Sequence, residues 1–219
     1  MAEFWMSEII KECARQRISL AEYIIRGECE NSGSTREQVI EKMGKMLDVM
    51  SSAANGGLEA PIRSNSGLTG GAAYQYHQYI GQGSSLLGTV MSSAVEMALS
   101  CSEVNAAMGR IVACPTAGSC GIVPAAVLSV GVSHQKSRED MVMALFVATG
   151  VGMVIGEPAT LAGADGGCQA ECGAAASMAA AAVVNLMGGS DEQALHGAAI
   201  ALKNMLGLVC DPVCGLVEI

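Results

Sequence analysis

Two segments centred on cysteine carry the residues of this chain best suited to chemistry: G-G-C-Q-A-E around Cys168 and V-C-D-P-V-C-G around Cys210. Both thiols sit among glycines and small residues. A thiolate that holds a bulky inorganic group needs such surroundings, because the backbone must leave space and offer N–H groups to the sulfurs. The competing reading is a pair of inert core thiols, since free cysteine is among the most buried residue types. Cys168 and Cys172 are spaced i, i+4, as are Cys210 and Cys214. Four converging thiols could form a zinc site, although zinc ligands more often follow a tighter C-x₂-C spacing. An iron–sulfur cluster accepts wider spacing and can be held by three thiolates, leaving one iron open as a Lewis acid.

These residues must be positioned by helices. Apolar residues make up 51% of the 219, aromatics only 3%, and there are 27 glycines. An apolar mass of Ala, Val, Met, Leu and Ile with so much Gly predicts a compact all-α domain whose backbones pack closely. We expect one domain over residues 1–219. Phe4, Ile9, Ile10 and Cys13 form a first helical stripe, and a short helix is expected from Ser19 to Glu30. Ser34 with Glu37 reads as a capping box ahead of the stripe Val39, Ile40, Met43, Met46, Leu47, Met50, which Asn55-Gly56-Gly57 stops. Helices are expected over 72–80, 86–109 and from 122 onward. Ser137 with Asp140 and Ser190 with Gln193 read as further capping boxes, the second opening a last helix that ends near Leu206. No run of alternating Val, Ile or Tyr argues for a sheet.

Three Gly-rich breaks interrupt these helices, at 58–71, 114–121 and 162–167, the last expected as a loop. Each carries hydroxyls or cysteines beside its glycines. Helix starts present unpaired N–H groups and partial positive charge, so several of them meeting in space would bind an anion.

Charge and composition exclude other classes. The net charge is −9 with no Lys/Arg run, which argues against nucleic acid and against an anionic membrane surface. Nine cysteines spread through a mid-sized chain, with no apolar signal core at the N-terminus, point to a reduced, cytoplasmic protein. The uncharged stretch 141–156 would reach only about 24 Å, short of a bilayer core of about 30 Å, and is expected to be a buried helix. His77, His134 and His196 stand in ordinary helical or loop contexts, and Lys203 reads as a surface residue rather than a Schiff-base lysine. The high apolar fraction predicts a face for subunit contact, hence an oligomer.

Five motifs then stand in order: S-G-L-T-G-G at 66–71, E-V-N-A-A-M-G at 103–109, C-P-T-A-G-S-C-G at 114–121, A-G-A-D-G-G-C-Q-A-E at 162–171 and L-K-N-M-L-G-L-V-C-D-P-V-C-G-L-V-E at 202–218. With this order and spacing the chain resembles the alpha chain of bacterial iron–sulfur-dependent L-serine dehydratases. The resemblance implies a [4Fe-4S] cluster, no pyridoxal phosphate, a companion beta chain, and deamination of L-serine to pyruvate and ammonia. It makes Cys168 and Cys210 two of the three cluster cysteines. The family's third cysteine normally follows G-L-V-E after a short V-P step. The sequence stops at Ile219 and lacks the C-terminal region that usually follows, so Cys214, where the family usually has Ala, becomes the candidate third ligand. Cys172 stands where a small apolar residue is usual. With Cys114, Cys120 and Cys214 it is read first as a packing residue, Cys214 being the one that could serve as a ligand instead.

For substrate, Ser66, Thr69, Thr116 and Gly118 would bind the carboxylate through hydroxyls and N–H groups. Glu103, Asn105 and Asn204 would bind the ammonium group or position the hydroxyl. Two alternatives remain: a cluster-free scaffold subunit, and a related cysteine desulfidase that eliminates sulfide.

Overall fold

The computed structural model describes residues 6–83 and 85–207. Among them are ten helices and no strand: α1 (Met6–Gln16), α2 (Leu20–Ser32), α3 (Arg36–Gly56), α4 (Ala72–Gly81), α5 (Gly88–Ala106), α6 (Ile122–Ser133), α7 (Arg138–Gly156), α8 (Gly163–Gly166), α9 (Cys168–Leu186) and α10 (Asp191–Met205). The all-α expectation holds. Phe4, Cys210 and Cys214 lie outside the described residues.

Local chemistry sets most of the boundaries. Ser19 caps α2 by accepting a hydrogen bond from the Glu22 N–H, and Gly33 ends it in the left-handed region at φ 67°. The capping boxes at Ser137–Asp140 and Ser190–Gln193 form as expected. The third is displaced by one residue. Thr35, not Ser34, caps α3, because its hydroxyl accepts from the Gln38 N–H while the Gln38 side chain accepts from the Thr35 N–H at 2.9 Å. Ser34 instead accepts from Lys42 Nζ at 3.3 Å. The segment 162–167 is also more ordered than a loop. Hydrogen bonds from Gly166 N to Ala162 O (3.0 Å) and from Gly167 N to Gly163 O (2.8 Å) wind it into the single turn α8.

Alanine-rich α9 packs against α6, α7, α8 and α10, with Ala174, Ala175, Ala179, Ala181 and Ala182 buried. Side chains this small let neighbouring axes approach, and Gly152 of α7 shows how closely. A Cβ there would lie 2.9 Å from Met178 Sδ. α7 is long and apolar enough to cross a membrane, but half of its apolar stretch is buried and it packs against α2, α3, α6 and α9, as a core helix does. Buried Ser100 of α5 donates to Ala53 O at 2.7 Å and accepts from Gly57 N at 2.8 Å, which fixes the end of α3. The C-terminal end of α5 and the start of α9 are thereby held on a rigid frame, and the Gly-rich segments gather around them.

Candidate functional site

Apart from Asn204, the described substrate-binding candidates singled out in the sequence fall into two corners, each organised by one carboxylate. In the first, Glu103 near the end of α5 reaches across to the start of α4. Its Oε1 accepts from the Ala72 N–H at 2.5 Å and from the Ala73 N–H at 3.3 Å. Those are orphan donors of a helix start, so the α4 end is already filled by an anion of the protein itself. Glu103 is only 9% exposed, and its Oε2 is buried with no hydrogen-bond partner among the described residues. The 58–71 segment closes over this corner. Ser64 N donates to Thr69 O at 3.0 Å, Asn65 N donates to Ala106 O at 2.9 Å, and the Ser64 and Ser66 hydroxyls lie 3.0 Å apart. Ser66 and Thr69 therefore hold a turn. Gly70 makes that turn possible: its φ is 122°, and a Cβ on it would overlap Ile62 O.

In the second corner Glu171, in the first turn of α9, reaches the 114–121 turn. The Thr116 hydroxyl donates to Glu171 Oε2 at 2.7 Å and lies 3.2 Å from the Ser119 hydroxyl. A Cβ on Gly118 would overlap Glu171 Oε1, and one on Gly163 would come within 3.2 Å of it. Both glycines leave the room that the carboxylate fills. Asn105 joins this corner by donating from Nδ2 to Ala117 O at 3.1 Å. Cys168 begins the same helix three residues before Glu171, so the two side chains share a face. Glu171 is half-buried, and Gly118 beside it is exposed.

The structure thus brings Asn105, Thr116 and Gly118 together with Cys168, and groups Glu103 with Ser66 and Thr69 one corner away. Asn204 is exposed on the last turn of α10, and among the described residues no hydrogen bond ties it to either corner. Glu171 was missed as a site residue. Its signal was in the sequence, in the last position of the A-G-A-D-G-G-C-Q-A-E motif and one helical turn from Cys168.

The cysteines of the 114–121 turn point into the core. Burial pushes the Cys114 thiol up to about 12 and the Cys120 thiol up to about 11. Cys101 beneath them rises to about 12, through burial first and then its two thiol neighbours. Buried in this way, the three thiols serve as small packing residues. Cys168 and Cys172 are half-buried at the start of α9. Among the described residues no group of three or more His, Cys, Asp or Glu is placed to hold a metal ion.

Behind Cys114 and Pro115 lies a cavity of about 810 Å³ walled by Met43, Met46, Met50, Met153 and Met178. Its apolar walls do not suit a zwitterion. On α4, His77 Nδ1 lies 2.7 Å from Glu96 Oε2, an ion-pair geometry that its ordinary helical context did not foretell.

Comparison with known proteins agrees with the motif order. The family model "Serine dehydratase alpha chain" matches residues 15–219. The probable L-serine dehydratase alpha chain of Bacillus subtilis (strain 168) is 45% identical, over 98% of this chain and 71% of its own length. The L-serine dehydratase alpha chain of Peptoniphilus asaccharolyticus is 43% identical, over 96% and 72%. L-serine dehydratase 2 of Escherichia coli (strain K12) is 31% identical, over 97% of this chain and 48% of its own length. The chain belongs to the serine dehydratase alpha chain family.

Proposed function

We propose that this chain is the alpha subunit of a cytoplasmic, oligomeric L-serine ammonia-lyase, which acts with a beta chain and a [4Fe-4S] cluster, without pyridoxal phosphate. Family membership supports the reaction. The observation that carries the site is the 2.7 Å bond from Thr116 to Glu171, which locks the C-P-T-A-G-S-C-G turn onto the helix that begins with Cys168.

Cys168 suits a cluster ligand: its thiol stands in the first turn of α9 after Gly167, where an added Cβ would meet nothing within 4 Å. Cys210 is its proposed second ligand and Cys214 its proposed third. When bound, a cluster with one open iron supplies a Lewis acid that makes hydroxide a better leaving group.

The protein's part is to hold the zwitterion. Water is lost between the α- and β-carbons of serine, and the resulting enamine becomes an imine that hydrolyses to pyruvate and ammonia. Removal of the weakly acidic α-proton builds negative charge toward the carboxylate, which must be met by donors already in place. The exposed backbone at Ala117 and Gly118 supplies such donors, Asn105 holds that backbone through the Ala117 carbonyl, and the Thr116 hydroxyl, spent on Glu171, fixes the turn. Ser66 and Thr69 act by shaping the adjoining turn.

Protein purified without oxygen should contain iron and acid-labile sulfide and release pyruvate from L-serine faster than from L-cysteine. Zinc without sulfide, or faster elimination from L-cysteine, would contradict the proposal.

A further inference from the structure

We infer that Glu171 binds the α-ammonium group of the amino-acid substrate and so makes the site select an amino acid over the corresponding hydroxy acid. The inference rests on the serine-eliminating reading above and assigns a residue to it.

A carboxylate that has left bulk water is stabilised by a cation or by several donors. Glu171 is half-buried, and among the described residues its side-chain hydrogen bond is the one from Thr116 to Oε2. No Lys or Arg occurs in the two segments that enclose it, 111–121 and 157–175. Among the described residues no basic side chain forms an ion pair with it. Its other oxygen, Oε1, faces the bare backbone of Gly118 and Gly163, and Gly118 is exposed. The carboxylate is thus held in place, has no counterion among the described residues and is open on one side. A primary ammonium supplies the missing charge and donates charge-assisted hydrogen bonds.

Glu103 is the rival for this role, and its geometry speaks against it. Its Oε1 is committed to Ala72 and Ala73, and its Oε2 is enclosed without contact to solvent. A ligand could reach it only after the 58–71 segment had opened.

The test uses two ligands that resemble serine without being substrates. L-Alanine keeps the ammonium and lacks the hydroxyl, and 3-hydroxypropanoate keeps the hydroxyl and lacks the ammonium. Equilibrium binding of each to the anaerobically assembled enzyme would be measured by calorimetry in wild type and Glu171→Gln. The variant should bind L-alanine about ten- to a hundredfold more weakly and 3-hydroxypropanoate within about twofold of wild type. Equal weakening of both ligands would mean that Glu171 only holds the turn, and unchanged L-alanine binding would mean that the ammonium lies elsewhere. Either result overturns the inference. If circular dichroism shows Glu171→Gln to be unfolded, Glu171→Asp is read in its place and should show the same ligand-selective loss. Wild-type turnover of L-serine separates the two levels. With turnover present and selectivity unaltered by Glu171→Gln, only the ammonium assignment falls. With no turnover by wild type, the proposed function itself falls.

Discussion

The Glu103 and Glu171 corners are built from the same parts and finished differently. Each has a carboxylate on a helix that reaches a Gly-rich segment far away in the chain, and each needs glycines where the carboxylate or the backbone comes close. At Glu103 the protein supplies the partner itself: two N–H groups at the start of α4 take Oε1, and the corner is sealed. At Glu171 one hydroxyl takes Oε2 and the other side is left to bare glycine backbone beside solvent. A corner closed to solvent, with Oε1 bonded twice and Oε2 enclosed, admits no ligand unless it opens, whereas one open to solvent beside bare glycine backbone is suited to a ligand. Substitutions in the first should therefore lower stability, and those in the second should lower function.

The largest expected effect comes from the buried underside of the Glu171 corner. Cys101, Cys114 and Cys120 hold their protons up to about 11 to 12 in the fold, against 9.0 for an unperturbed thiol. Between these limits the native state binds protons that the unfolded chain has released. Their contribution is complete below pH 9 and is lost as pH rises through the folded values. Thermal unfolding followed by circular dichroism should show the midpoint dropping steeply above pH 9, and replacing Cys101 with Ala should make that drop shallower. A midpoint that stays flat from pH 9 to 11 would remove these thiols from the core.

Gly70→Ala comes next. At φ 122° and against Ile62 O, the substitution should cost about 3 kcal/mol of stability in denaturant titration. Glu103→Ala should cost about 2 kcal/mol by stranding the Ala72 and Ala73 N–H groups. In both variants the molecules that remain folded should keep their affinity for substrate. If Glu103→Ala instead leaves stability intact and abolishes binding, the roles of the two corners are reversed. Smallest is the control outside both corners: Ser190→Ala removes the cap of α10 and should cost about 1 kcal/mol with turnover unchanged.

Helix content and most helix starts were legible in the sequence because they depend on near neighbours. Ser137 with Asp140, Ser190 with Gln193, and Gly33 each act within a few residues of the element they bound. The misplaced box at Ser34 shows the limit of that reading. Two adjacent hydroxyls, each followed three residues later by Glu or Gln, offer two registers, and the backbone of α3 takes the one starting at Thr35. Motif membership likewise identified Thr116, Gly118, Asn105 and Glu103 as residues of interest, but it could not sort them into corners. The sorting rests on contacts between Glu171 and Thr116, and between Glu103 and Ala72, which depend on how α4 packs on α5 and how α6 packs on α5 and α9. Asn204 shows the converse, a motif residue that its helix leaves in solvent.

The most direct test of this division of labour is Gly118→Ala. Its added methyl would occupy the space of Glu171 Oε1 and leave the core untouched. The account predicts that pyruvate release from L-serine by the anaerobically assembled enzyme falls at least about tenfold, a transition-state loss of about 1.4 kcal/mol, while the thermal midpoint stays close to that of wild type. Turnover equal to wild type, with the substitution verified, would contradict the assignment of this corner as the substrate site.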